Sequence, residues 1–105
     1  MDEYYFDDKI YIDWSTWSPA CDKRVALVSN QLRIEVGSNH VLFPFLRNLH
    51  FIAQDDASDS ILVSNPTDPE TAFFVHPTFS KRTESNSAFP STHIIPADCI
   101  PKHLR

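Results

Sequence analysis

The sequence of 105 residues predicts a mostly β fold, all-β or α+β: a small single-domain antiparallel sheet or partly open barrel, with one or two short helices. Three observations carry that expectation. Short apolar runs alternate with polar residues at strand period, most clearly over 9–15 and 24–36. Glycine occurs once, at Gly37, so turns fall to eight prolines and to Asn, Asp and Ser. A hydrophobic fraction of 42% and a charged fraction of 22% suit one folded domain over 1–105 rather than a disordered chain.

The first strand is expected over 9–15, where Ile10, Ile12 and Trp14 would share one face, with Tyr11 and Asp13 on the other. Residues 24–36 read as a hairpin. Val25 and Leu27 precede Ser29-Asn30, and Leu32, Ile34 and Val36 come after it in alternation, with Arg33 and Glu35 facing out. Gly37-Ser38-Asn39 makes the next turn. Over 41–53, Val41, Phe43 and Phe45 alternate as in a strand. Pro44 ahead of Phe45, Leu46, Leu49, Ile52 and Ala53 also fits a short helix with proline in its first turn. No good cap precedes Pro44, and His50-Phe51-Ile52 favours extended backbone, so the strand is preferred.

Asp55-Asp56-Ala57-Ser58-Asp59 is a turn, and a short strand over 60–64 comes next. Asn65 to Glu70 is a loop in which Asp68, Pro69 and Glu70 carry helix-start signals. Pro77 would stop a helix begun there, so 71–76 is a helix of one or two turns or a strand. If it is a strand, Phe73 and Phe74 face opposite ways, and either one is exposed or both faces are covered. The Ser- and Thr-rich segment 78–92 reads as a mobile loop, and His93-Ile94-Ile95 as an edge strand before Pro96.

Leu32-Arg33-Ile34-Glu35-Val36-Gly37 resembles the L-x-F-x-x-G diverging turn of SH3 domains. Ile95-Pro96-Ala97-Asp98-Cys99-Ile100 is similar to their I-P-S-N-Y-V ending, a strand, a 3-10 turn and a last strand. The resemblance implies a small barrel, but not the family's groove for proline-rich peptides. No tryptophan comes after Trp17 to open a central strand, and Cys99 stands where that family has a tyrosine. Among the ligand-contacting positions only Pro96 matches.

All three tyrosines and both tryptophans lie within the first seventeen residues, as Tyr4, Tyr5, Tyr11, Trp14 and Trp17. Asp2, Glu3, Asp7, Asp8 and Asp13 accompany them against the single base Lys9, so this segment holds −4 of a net charge of −5. Such aromatics anchor interfaces through a large apolar face and a polar tip, and carboxylates beside them favour a basic partner. The candidate partner-binding residues are therefore Tyr4, Tyr5, Asp7, Asp8, Tyr11, Asp13, Trp14 and Trp17. The simpler alternative is that the aromatics pack down as a first strand, with the acids keeping its edge soluble.

Other chemistry finds little support. With one glycine, the chain has no P-loop, dinucleotide fingerprint or G-x-S-x-G elbow. The five histidines show no H-x-x-x-H spacing and read as surface or boundary residues, and the two cysteines no C-x-x-C. Cys21 and Cys99 read as separate thiols, Cys99 as buried and inert, although His93 near Cys99 in sequence would suit an activated thiolate. Asp55, Asp56 and Asp59 resemble the D-D-x-x-D metal motif of prenyl-transferring enzymes, but a solvated acidic turn explains them in so short a chain. The acidic balance argues against direct nucleic-acid binding, and no apolar run approaches the roughly 20 residues that cross a bilayer.

The expectation is a cytoplasmic, non-catalytic binding module with no cofactor and no metal. It would suit an inhibitor or an immunity-type protein of a phage or mobile element, docking on a basic protein. Homo-oligomerisation through the same aromatic strand is a variant. The alternatives are a small enzyme with a His, Asp and Cys site assembled from separate strands, and a structural subunit of a larger assembly such as a phage particle.

Overall fold

Short apolar runs in the second half of the chain build an antiparallel sheet in the structure, a computed structural model. Residues 11–78 and 90–104 are described, with the backbone of 4–6. Strands β1 (Tyr4–Phe6) and β2 (Tyr11–Asp13) pair as a two-stranded ribbon, with Tyr4 opposite Asp13, Tyr5 opposite Ile12 and Phe6 opposite Tyr11. The main sheet has five strands: β3 (Trp17–Pro19), β4 (Phe51–Asp55), β5 (Ile61–Ser64), β6 (Thr71–His76) and β7 (Ser91–Pro96). They lie side by side in chain order, every neighbour antiparallel. The mostly β, α+β expectation therefore holds. The sheet is not closed into a barrel, because β3 and β7 end it without pairing to each other.

Helix α1 (Asp22–Glu35) enters between β3 and β4, in place of the hairpin expected there. Val25, Val28, Leu32 and Glu35 stand at helical spacing, and Val28, Leu32 and Glu35 are fully buried. The hairpin reading is inverted in detail: Glu35 lies inside, while Leu27 and Ile34 are exposed. No glycine or proline interrupts 22–35, and the Ser29-Asn30 step lacks the glycine that a tight hairpin favours. Helix formers such as Ala26, Leu27, Gln31 and Leu32 then prevail. The diverging-turn resemblance falls with the hairpin, since its residues form the end of this helix. At the other end a 3-10 turn over Ala97–Cys99 does succeed β7, but Lys102–Leu104 is a second 3-10 turn, not a last strand.

Residues 41–53 divide between the two expectations. Phe43–Phe45 form a 3-10 turn containing Pro44, and the strand begins only at Phe51. The 71–76 segment is a strand, and Ser91 and Thr92, assigned to a mobile loop, already belong to β7. The rest of that loop, 79–89, lies outside the described residues.

Both faces of the sheet are covered. One packs on α1 and the chain just beyond it: Ile61, Val63, Phe73 and Val75 meet Val28, Leu32, Val36 and Leu42. The other is covered by the two chain ends: Leu62, Ala72 and Ile95 meet Ile12, Trp14, Trp17, Ile100 and Leu104. This is why Ile61-Leu62-Val63 and Ala72-Phe73-Phe74-Val75 are unbroken apolar runs, and why Phe73 and Phe74 both find a packed environment. Each large side chain so buried contributes about 1.5–3 kcal/mol of hydrophobic stabilisation. A bulge in β4 puts Ile52 and Ala53 against the same core.

Candidate functional site

The ribbon sorts its residues by face. On β2, Ile12 is buried in the core while its neighbour Tyr11 is 54% exposed, as strand alternation requires. Asp13 then ends the strand and caps the 3-10 turn Trp14–Thr16 (Oδ1 accepts from the Ser15 amide at 3.0 Å and hydroxyl at 2.7 Å). Those two bonds hold the Asp13 carboxyl below its ordinary pKa.

Trp14 and Trp17, expected at the interface, belong to the core instead, at 2% and 6% exposure. Their rings meet edge-on at 5.6 Å, and Trp17 continues to Phe74 at 5.8 Å, which in turn lies 6.4 Å from His93. This aromatic row runs along the sheet face opposite α1, with Trp17, Phe74 and His93 supplied by strands of the sheet and Trp14 by the turn before β3. The physical reason is area: five strands expose more apolar surface than one helix can cover, and the chain ends carry the side chains that close the second face. Among the described residues, Trp14 Nε1 is buried without a hydrogen-bond partner.

The acidic turn, a separate solvated element by sequence, is joined to the ribbon. Thr16 Oγ1 donates to Asp55 Oδ1 at 2.6 Å and to the Asp13 carbonyl at 3.4 Å. Ser18 Oγ donates to Asp56 Oδ2 at 2.7 Å, and the Asp56 amide to the Thr16 carbonyl at 2.8 Å. Asp55 also accepts from the Ala57 amide and the Ser58 hydroxyl, closing the turn. The result is an acidic end of the molecule in which the Asp55–Asp56 turn is tied through Thr16 to Asp13, two residues along β2 from Tyr11. Arg24 donates to the Asp55 carbonyl at 3.1 Å and offsets part of this charge. Gln54, donating to Asp56 at 2.8 Å, and Ser18 together keep the Asp56 carboxyl below its ordinary pKa. Gln54 Oε1 also accepts the Cys21 amide at 2.9 Å, tying the start of α1 to β4. The signal for this coupling in the sequence was the Thr16/Ser18 pair facing a strand register that only the sheet establishes.

Asp7 and Asp8 and the side chains of Tyr4 and Tyr5 lie outside the described residues. The D-D-x-x-D likeness resolves into the hydrogen-bonded turn above, and among the described residues no group of three His, Cys, Asp or Glu side chains is placed to hold a metal. The histidines are not all peripheral. His40 is buried, its Nδ1 accepting from the Leu42 amide at 3.0 Å and its Nε2 donating to the Pro90 carbonyl at 2.9 Å, a pattern that specifies the neutral Nε2–H tautomer. Glu35 accepts from Gln31 at 2.7 Å and from the Thr78 amide at 2.8 Å, joining the last turn of α1 to the chain beyond β6. Desolvation first, and then Asp98, push the Cys99 thiol upward, away from thiolate. No described helix is long and apolar enough to cross a membrane.

Compared with known proteins, the chain matches no family model, no curated protein and no solved structure.

Proposed function

We propose that this chain is a non-catalytic binding module that docks its acidic ribbon end onto a basic protein, in the manner of an inhibitor or immunity-type protein. One observation carries the reading: Tyr11 stands exposed on a ribbon outside the main sheet, two residues from Asp13, whose carbonyl shares the Thr16 hydroxyl with Asp55. A two-stranded ribbon is marginal by itself in water. Ile12 and Trp14 anchor this one in the core, which holds Tyr11 at the surface without loss of the fold. The docking set is narrowed to Tyr11, Asp13, Asp55, Asp56 and Asp59, together with Tyr4, Tyr5, Asp7 and Asp8 from the acidic N-terminal segment. Trp14 and Trp17 act beneath it as support.

The test is capture from the chain's own cell by wild type and by a variant carrying Tyr11→Ala and Asp8→Asn, with far-UV circular dichroism confirming that both are folded. The expected result is a basic protein retained by wild type, released as salt is raised, and lost by the variant, since screening weakens attraction between exposed charges. Equal capture by the folded variant would remove this surface from the function.

A further inference from the structure

At the end of the main sheet remote from the Asp55–Asp59 turn lies a cavity of about 350 Å³. It is formed where β4 begins, β5 ends and the C-terminal 3-10 turns fold over, with Ile52, Ser64, Ala97, Ile100 and Leu104 among its lining. The β4 bulge turns Ile52 toward Ile100 and Leu104, and by strand alternation Ser64 shares the face of Leu62 on that side. The volume falls within the range of about 300–1,000 Å³ that small-molecule sites occupy.

The chemistry of the wall narrows the ligand. Among the described residues no Asp, Glu, Lys or Arg lines the cavity, so an ionised group entering it finds no counter-charge there to offset its lost hydration. The Asn65 side chain is already engaged, its amide donating to Thr71 Oγ1 at 3.0 Å and its carbonyl accepting from the Thr67 amide at 3.0 Å. Two lining side chains are not engaged: among the described residues, neither the Ser64 hydroxyl nor the His50 ring makes a hydrogen bond. They sit side by side, because the Ser64 amide donates to the His50 carbonyl at 2.9 Å.

We propose that this cavity is a binding site for a small, uncharged, mainly apolar molecule bearing one hydroxyl group. Ile52, Ile100 and Leu104 pack its apolar body, and the Ser64–His50 step takes the hydroxyl. The site is independent of the acidic end. The experiment titrates the full chain with para-cresol, and in parallel with toluene, which lacks only the hydroxyl, tracking backbone amide NMR shifts. Expected are saturable shifts at Ser64, Thr71, Ala97 and Ile100, with para-cresol bound more tightly than toluene. Ser64→Ala should weaken para-cresol by roughly fivefold and leave toluene unchanged, as loss of one neutral hydrogen bond requires. Ala97→Trp, which fills the cavity from a partly exposed position, should abolish both. Shifts that do not saturate, that map elsewhere, or that are indifferent to Ser64→Ala would overturn the proposal, whatever the folding of the tryptophan variant.

Discussion

Replacing Trp14 tests the division between core and surface most directly. If the ring belongs to the core, as its 2% exposure places it, Trp14→Ala opens a cavity between the ribbon, β3 and the C-terminal turns. Large-to-small aromatic substitutions of this kind cost about 3–5 kcal/mol. With a urea slope of about 2 kcal/mol per molar, the unfolding midpoint should fall by roughly 2 M. Trp14→Phe is the sharper comparison. It opens a smaller void, costing about 1 kcal/mol, and also deletes an indole N–H that is buried with no partner among the described residues, a group whose desolvation costs about 1–3 kcal/mol. The two effects oppose, so Trp14→Phe should stay within about 1 kcal/mol of wild type. Urea titrations monitored by circular dichroism measure both, since Trp17 packs on Trp14 and would confuse a fluorescence signal. Equal losses in the two variants would refute the orphaned N–H, and an unchanged Trp14→Ala would refute the burial itself.

Two further outcomes concern the titrating groups. The Asp56 pKa is lowered on folding, so its bonds to Gln54 and Ser18 stabilise the fold above the unfolded carboxylate value near 3.8, and this contribution disappears as pH falls through the lower folded value. Between pH 7 and pH 3 the wild type should therefore lose more stability than Asp56→Asn, and an equal loss by thermal denaturation would count against these bonds. In the second case, iodoacetamide at pH 8 should alkylate the exposed Cys21 before Cys99, whose thiol is pushed upward by desolvation and Asp98. Peptide mass spectrometry that finds Cys99 modified first would reverse that order.

The strand at 61–64 lies where an apolar run between Asp/Ser and Asn/Pro turn residues marks it, whereas 71–76 fitted a short helix as well as a strand, and the strand at 51–55 keeps only the end of the one preferred over 41–53. Residues 24–36 misled for a definable reason. Leu32, Ile34 and Val36 alternate, yet Leu32 and Val36 also complete a helical stripe with Val25 and Val28. Short-range pattern is compatible with both, and the uncovered sheet face selects the helix. The opposite face explains the site: Tyr11 and Asp13 were legible as one side of an alternating strand with Ile12 and Trp14 on the inner side, whereas Trp17 was not legible as core, since its burial depends on what lies opposite.

By itself, the sequence determined a mostly β chain with proline-, aspartate- and serine-built turns, a charge imbalance confined to the N-terminal segment, and the want of glycine-dependent phosphate and nucleophile loops. Those properties are local, set by composition and by spacings of a few residues. Tertiary structure alone decided that both sheet faces would be covered, that the tryptophans would be buried on one of them, that Asp55 would join Asp13 through Thr16, and that Asp56 would bond Ser18. Each of these depends on residues some forty positions apart being brought together by strand register, and no local pattern encodes that pairing.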